Sequence, residues 1–244
     1  MTALKRRDNR GAHGAKRTRL IVALDVDTLT KAGRLVGALY PDVSIFKIGS
    51  QLFTKSGPAS VAMVRERGAE VFLDLKFHDI PNTVAGAVRQ ASSMGVMITN
   101  IHALGGKAMM ESAFQARGRR KTPLLLAVTI LTSMDQKELD SIGVTRGSRA
   151  QVKKLALLAQ DCGMDGVVCS GQEIGMIRNV CGKDFIVLTP GIRPAFSAFN
   201  QDQKRVVTPR QASDEGADYI VVGRPVTESK DPLKAARNIL LDLP

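Results

Sequence analysis

The segment Asp74-x-Lys76-x-x-Asp79 places an ammonium group between carboxylates, and it is the part of the sequence best suited to acid–base chemistry. A fixed ammonium stabilises negative charge that develops beside it and can then donate its proton. A neighbouring carboxylate keeps that ammonium charged and oriented. Asp25 and Lys47 add one charge of each sign within two earlier apolar runs. These residue types could support a reaction in which negative charge develops and a proton is delivered.

The two-residue period of a β-strand places Asp74 and Lys76 on the same face. Leu73 and Leu75 then face the opposite side, so the charged pair points away from any helices that cover the strand. Burying a charge without a partner is costly, and opposite charges at i and i+2 partly offset that cost. One interpretation is an ion-pair network that only fixes the geometry of the fold. Ion pairs stabilise a core poorly compared with apolar packing, which favours a functional site.

Eight short apolar runs alternate with longer segments from residue 20 onward, and they lack the polar alternation of half-exposed strands. The runs cover residues 20–25, 44–48, 71–75, 96–102, 123–130, 166–169, 185–188 and 219–223. Continuous apolar runs are typical of parallel strands covered on both sides. Eight such units in about 225 residues predict an α/β fold, a single-domain (β/α)8 TIM barrel. A doubly wound open sheet is the rival, but no GxGxxG follows the first run.

The segments between the runs have the apolar period of amphipathic helices. They cover residues 58–67, 83–94, 107–117, 149–162 and 232–241. A glycine closes several of them just before the next apolar run, where helix C-caps belong: Gly68, Gly95, Gly163 and Gly216. The pattern therefore predicts helices that end at these glycines and alternate with the strands.

Other polar residues also fall at the ends of the apolar runs, which in a barrel form the catalytic face. Asn100 and His102 close the fourth run, and Thr132-Ser133 follow the fifth. The seventh and eighth runs lead into the segments 189–194 (TPGIRP) and 223–225 (GRP). Glycine backbone and arginine suit a phosphate group there, although two ordinary turns with surface arginines remain the alternative. The loop 192–209 has no clear period, and we interpret it as a lid.

Composition and charge limit the function further. Of the 244 residues, 44% are apolar and 24% are charged, and no run approaches the ~18 apolar residues of a membrane span. The net charge is +12, and residues 1–19 supply half of this excess with seven basic residues and one acidic residue. We interpret residues 1–19 as a basic disordered tail and residues 20–244 as the domain. A nucleic-acid-binding arm is the alternative, but the tail lacks aromatic residues to stack on bases.

The remaining candidates are interpreted as structural. Cys162, Cys169 and Cys181 form no CxxC pair, which argues against a disulfide framework, a zinc site or an iron–sulfur cluster. They are expected to be buried, in a protein of the reducing cytoplasm. His78 is interpreted as a residue that packs or that supports the site indirectly. His102 could be a ligand or a base, but polar support at a strand end is favoured, because no second histidine or spare carboxylate is spaced for a metal. The N-terminus has no apolar segment of the kind found in secretory signals.

Eight motifs in a fixed order resemble the orotidine 5′-phosphate decarboxylase family across residues 20–242. The most specific is FLDLKFHDIPNT at 72–83. The others are LDVD at 24–27, FKIG at 46–49, AVTILTS at 127–133, DGVVCS at 165–170, TPGIRP at 189–194, DQKRVVTP at 202–209 and VVGRPVT at 221–227. The resemblance implies a (β/α)8 barrel that converts orotidine 5′-phosphate to uridine 5′-phosphate, the last step of pyrimidine nucleotide synthesis. It implies no metal and no organic cofactor.

The resemblance also implies a catalytic network around the reacting carbon. Its members would be Lys47, Asp74, Lys76 and Asp79, with Lys76 as the proton donor. Asp79 and Thr83 would come from the neighbouring subunit of a homodimer.

For the rest of the substrate, the resemblance implies contacts along the whole nucleotide. Asp25 and Lys47 would hold ribose hydroxyls, with Thr132 nearby, and Ser133 would recognise the pyrimidine. The phosphate end would be held by Gln203, Gly223 and Arg224, with Pro190 and Arg193 beside it. Two rivals remain: a related barrel enzyme that uses magnesium on a sugar phosphate, and a basic nucleic-acid-binding protein built on an inactive barrel.

Overall fold

The computed structural model describes residues 17–194 and 207–243. In these ranges eight parallel strands close into one barrel, each paired with the next and β8 paired with β1. The strands are β1 Arg19–Ala23, β2 Ile45–Gly49, β3 Glu70–Phe77, β4 Ile98–His102, β5 Leu124–Val128, β6 Gly166–Val168, β7 Ile186–Thr189 and β8 Tyr219–Val222. The predicted (β/α)8 barrel, in a single domain, is confirmed.

Helices connect consecutive strands around the outside of the barrel. They are α1 Leu29–Leu39, α2 Ser50–Ser56, α3 Pro58–Arg65, α4 Pro81–Ser93, α5 Gly106–Arg117, α6 Gln136–Ser141, α7 Ser148–Asp161, α8 Ile174–Cys181, α9 Pro209–Asp214, α10 Arg224–Thr227 and α11 Pro232–Leu241. Five of them carry proline in the first turn, where its missing N–H costs nothing. The five helices expected from periodicity are all present, with ends shifted by up to two residues.

The four glycines predicted to end helices all have positive φ, between +68° and +94°. At Gly95, for example, the residue follows the C-cap of α4 and leads into β4. Such a backbone favours glycine because a Cβ would clash with the chain. The predicted alternation of helix, glycine and strand is therefore confirmed.

The barrel has two apolar layers. The inner layer, which includes Ile21, Ile45, Phe72 and Leu126, fills the barrel interior. The outer layer lies between strands and helices and includes Leu73, and Leu75 packs against it. The two faces of β3 therefore differ as the two-residue period predicts, and Asp74 is left on the inner face.

The barrel begins slightly earlier than the sequence indicates. Thr18 is buried, and its hydroxyl donates a hydrogen bond to the carbonyl of Ala217 at 2.7 Å. Arg19 opens β1, pairs with Tyr219, and its guanidinium lies 5.9 Å from the centre of that ring. The predicted boundary between tail and domain at residue 19 is thus corrected, since Thr18 and Arg19 belong to the barrel. The sequence pattern assigns them to the tail because both are polar, like the residues before them. Residues 1–16 of the predicted tail lie outside the described residues.

The loop predicted as a lid is described only at its two ends. Ile192 and Val207 form a parallel bridge, and the Arg193 N–H donates to the Val207 carbonyl at 2.9 Å. Residues 195–206 lie outside the described residues, and Gln203 is among them. The ends of the loop are therefore fixed beside the mouth of the barrel.

The described residues also answer two smaller expectations. All three cysteines are buried, as predicted, and none of them forms a disulfide bond. None of the helices within 17–194 and 207–243 has the length and apolarity needed to cross a membrane.

Candidate active site

The C-terminal ends of the strands open into one cavity of about 610 Å³. Its position is the one where barrels of this kind carry out chemistry, because the loops after the strands converge there. Ten of the predicted site residues line it: Asp25, Lys47, Asp74, Lys76, Thr132, Ser133, Pro190, Arg193, Gly223 and Arg224. The structure therefore brings together residues that are as much as 199 positions apart in the sequence.

A chain of alternating charges runs along one side of the cavity. The ammonium of Lys76 donates to Asp74 at 2.7 Å, and the other oxygen of Asp74 lies 3.3 Å from the ammonium of Lys47. Lys47 in turn donates to Asp25 at 3.0 Å. The side chains of Lys47 and Asp74 are only 13% and 11% exposed, whereas that of Lys76 is 37% exposed. Lys76 therefore combines a buried partner with access to the cavity, as does Asp25 at the other end of the array.

The array keeps its buried members ionised. Burial alone lowers the pKa of the Lys47 ammonium, but the carboxylates of Asp74 and Asp25 outweigh burial and raise that pKa. Burial alone raises the pKa of the Asp74 carboxyl, but Lys47 and Lys76, with a hydrogen bond from Asn100, lower it overall. Both groups are thus charged at neutral pH, so the electric field of this pair does not change as the pH varies around neutrality.

The strand register places two residues around this array whose roles the sequence alone does not indicate. Asn100, fully buried on β4, donates from Nδ2 to Asp74 at 2.7 Å. At Gly49 a Cβ would lie 3.0 Å from the Lys47 ammonium and 3.2 Å from Asp25, so glycine leaves room for that ion pair. A buried asparagine in an otherwise apolar strand was the available signal, since such an amide needs hydrogen-bond partners.

Two guanidinium groups, on the loops after β7 and β8, also line the cavity. Arg193 follows β7 and Arg224 follows β8, adjacent strands of the barrel, and Pro190 and Gly223 lie on the same rim. The loops after the seventh and eighth strands are the usual phosphate site of this fold. Forked, permanently charged donors on both loops make this rim suited to a phosphate dianion.

Two predicted site residues lie outside the cavity of their own chain. Asp79 and Thr83 are exposed, one before α4 and one in its first turn, and neither lines the cavity. The Asp79 carboxylate accepts a hydrogen bond from the N–H of Ile80 at 2.6 Å, and Ile80 itself is 67% exposed. This surface stands beside the end of β3 and faces outward.

The two histidines near the array contact each other. The rings of His78 and His102 stack with their centres 5.3 Å apart, and Nδ1 of His102 accepts from the N–H of Leu104 at 3.4 Å. Burial, His78 and Lys76 lower the pKa of His102. His102 caps the turn that follows β4, which agrees with the structural support predicted for it.

Comparison with known proteins places this site in a family. A model described as the orotidine 5′-phosphate decarboxylase / HUMPS family matches residues 18–239, which span every strand of the barrel. The chain belongs to this family. All ten cavity residues named above lie within the matched range.

Relatives in the orotidine 5′-phosphate decarboxylase / HUMPS family cover almost the whole chain. The orotidine 5′-phosphate decarboxylase of Syntrophotalea carbinolica is 49% identical over 93% of this chain and 95% of its own length. That of Teredinibacter turnerae is 52% identical, over 91% and 95%. The crystal structure of orotidine 5′-phosphate decarboxylase from Lactobacillus acidophilus superposes with a TM-score of 0.81 at 37% identity, covering 93% of this chain and 98% of that one.

Proposed function

We propose that this chain decarboxylates orotidine 5′-phosphate to uridine 5′-phosphate, the last step of pyrimidine nucleotide synthesis. The observation that carries the mechanism is the Lys76–Asp74 contact of 2.7 Å at the wall of the cavity. The family and the names of the relatives support the same activity.

The difficult step is the departure of CO₂, since the bonding electron pair stays on a ring carbon. The ammonium of Lys76 lies in the cavity and stabilises that developing negative charge. It then gives one proton to the same carbon, which completes the product, and the resulting amine takes a proton back from solvent. Lysine suits this role because it carries a compact charge together with a transferable proton.

The other members of the array prepare Lys76 for this role. Asp74 orients the ammonium, and Lys47 balances the carboxylate of Asp74 from the other side. We propose that Asp25 and Lys47 also hold ribose hydroxyls, with Thr132 nearby and Ser133 at the pyrimidine. These four residues line the same cavity, which supports the assignment.

We propose that the phosphate binds between Arg193 and Arg224, with the Gly223 backbone and Pro190 beside it. Phosphate at this end is remote from the reacting carbon. Its binding energy can nevertheless orient the ring and support closure of the loop that follows β7. Gln203 stays a proposed phosphate ligand, and it lies outside the described residues.

We propose that the working unit is a homodimer in which Asp79 and Thr83 of each chain complete the site of the other. The exposure of both residues, next to an exposed Ile80, supports this proposal. Neither residue can line the cavity of its own chain in the observed arrangement. A second carboxylate beside the Lys76 ammonium would extend the alternating charges by one member.

We further propose a cytoplasmic location and a reaction without metal or organic cofactor. None of the three cysteines forms a disulfide bond, which fits a reducing compartment. The ammonium of Lys76 supplies the charge stabilisation that a cofactor would otherwise provide. The magnesium-dependent sugar-phosphate enzyme remains the rival for this part of the proposal.

An absorbance assay for loss of orotidine 5′-phosphate tests the proposal with the purified chain. We expect full turnover in EDTA, and we expect Lys76→Ala to fold and to lose at least 99% of kcat, on the order of a hundredfold effect for a general acid. Lys107→Ala, which removes an exposed lysine on α5, is the matched control and should keep wild-type kcat. Activity lost in EDTA would favour the rival, and an active Lys76→Ala variant would remove Lys76 as proton donor.

A further inference from the structure

Lys76 has a backbone conformation that is rare for a residue with a side chain. Its φ is +49°, and no other non-glycine residue within the described ranges has a positive φ. The pairing of β3 with β4 also loses its regular register between Leu73 and Phe77. A left-handed backbone costs about 1–3 kcal/mol at such a residue and persists only where its surroundings fix it. The conformation of Lys76 therefore requires a support.

The side chain of Asn100 provides that support from the neighbouring strand. Its Oδ1 accepts a hydrogen bond from the backbone N–H of Lys76 at 2.8 Å. Its Nδ2 donates to Oδ1 of Asp74 at 2.7 Å, the same oxygen that accepts from the Lys76 ammonium. Asn100 is 0% exposed, and its bond to Asp74 is buried, while its bond to the Lys76 N–H is partly buried. One carboxamide thus joins the backbone of Lys76 to the carboxylate that holds its side chain.

The arrangement needs a donor and an acceptor in one planar group. Asparagine offers both, whereas a carboxylate of the same shape has no hydrogen to give to Asp74, and an aliphatic side chain offers neither. Asn100 does not line the cavity, so it can act only through its two neighbours.

We propose that Asn100 is a positioning residue that fixes Lys76 and Asp74 together, so that the Lys76 ammonium is held at the reacting carbon. The inference rests on the proposed role of Lys76. It adds a residue on β4 to a site whose charged members come from β2, β3 and the loop after β1.

Asn100→Asp separates the two contacts. The variant keeps an acceptor for the Lys76 N–H but sets a second carboxylate against Asp74. We expect kcat at pH 8 to fall about 100-fold, the scale of a small misplacement of a catalytic group. Two carboxylates at this distance share one proton as the pH falls, and that proton restores a donor to Asp74. The ratio of variant to wild-type kcat should therefore rise between pH 8 and pH 6.

Thr99→Val is the matched control. Thr99 is also fully buried on β4, but its hydroxyl donates to the backbone carbonyl of Leu73 at 3.1 Å instead of to the charged pair. It loses one buried hydrogen bond and some stability, but it should keep kcat within about two-fold, since its hydroxyl bonds neither Asp74 nor Lys76. The proposal would be overturned if Asn100→Asp kept wild-type kcat at pH 8. It would also be overturned if the loss of kcat were the same at pH 8 and pH 6.

Asn100→Ala keeps the test decisive if the aspartate variant does not fold. It removes both contacts, and we expect a large loss of kcat with nearly unchanged affinity for uridine 5′-phosphate by calorimetry. Equal losses of kcat and affinity would overturn the proposal. Lys76→Ala is measured alongside: if it stays active, the proposed function fails, whereas an inactive Lys76→Ala beside fully active Asn100 variants means that only the role of Asn100 is wrong.

Discussion

At the scale of single residues, the contacts of the site compensate for the removal of two charged side chains from water. Lys47 and Asp74 are nearly buried, and each would be costly alone. Each meets opposite charges on two sides, with Asp25 and Lys76 at the ends of the array where exposure is greater. Both ends are therefore open to a substrate, and Lys76 is the end that can supply a proton, while the buried centre supplies a constant field.

The pKa shifts predict how stability depends on pH. The lowered pKa of Asp74 adds stability that is present above its unfolded value and lost only as the pH falls through the lower folded value. The raised pKa of Lys47 adds stability that is present below its unfolded value and lost only as the pH rises through the higher folded value. Both contributions are thus complete from mildly acidic to mildly alkaline pH.

Urea unfolding of the wild type and Asp74→Asn measures this dependence. We expect the variant to lose about 3 kcal/mol of unfolding free energy, because it leaves Lys47 and Lys76 near each other without the carboxylate that they share. That difference should be constant from about pH 5 to pH 9 and shrink below about pH 4. Asp42→Asn, at an exposed carboxylate paired with Arg237, is the control. A difference that already shrinks between pH 7 and pH 5 would contradict the assignment.

Arg224, on the loop after β8, gives a prediction about phosphate binding. Arg224→Ala should weaken uridine 5′-phosphate by on the order of 10- to 100-fold, the value of a charge-assisted hydrogen bond, and leave uridine nearly unaffected. Calorimetry with both ligands measures the two effects. Arg237→Ala, an exposed arginine on α11, should change neither affinity. Equal losses for nucleotide and nucleoside would mean that Arg224 does not hold the phosphate.

At the scale of elements, the sequence predicts the barrel well because each strand is a continuous apolar run and each helix has its own period. It also predicts that Asp74 and Lys76 share a face, since this depends only on local alternation. It does not predict the contact of Asn100 with this pair, because that contact depends on the register of β4 against β3. Nor does it indicate the irregular pairing between Leu73 and Phe77, which has no local signature.

The start of β1 gives a prediction about the N-terminus. Thr18 and Arg19 bond to the segment around Ala217, so a deletion that removes them should differ from one that stops at residue 16. We propose that residues 2–16 are dispensable and expect their deletion to keep kcat and Tm. Deleting residues 2–19 loses two backbone-directed hydrogen bonds, about 2 kcal/mol, and should lower Tm by roughly 4–8 °C. Identical Tm values for the two deletions would contradict this boundary.

At the scale of the whole molecule, the outward position of Asp79 and Thr83 determines the proposed assembly. Both follow β3, the strand that carries Asp74 and Lys76, yet they are exposed. In a two-fold dimer the same surface of each chain meets the other, so each chain can give its Asp79 to its partner's site. We propose that Lys76 of one chain and Asp79 of the other complete one decarboxylation site.

Mixing a Lys76→Ala chain with an Asp79→Ala chain tests this claim most directly. In the heterodimer one site receives both substitutions and the other receives neither. Random exchange makes half of the dimers heterodimeric, and half of the sites in those heterodimers are intact. About one quarter of wild-type activity should therefore return from two nearly inactive parents. Native mass spectrometry confirms that heterodimers have formed. Recovery near one quarter is the predicted result, and no recovery in a mixture that contains them would mean that each site is built within one chain.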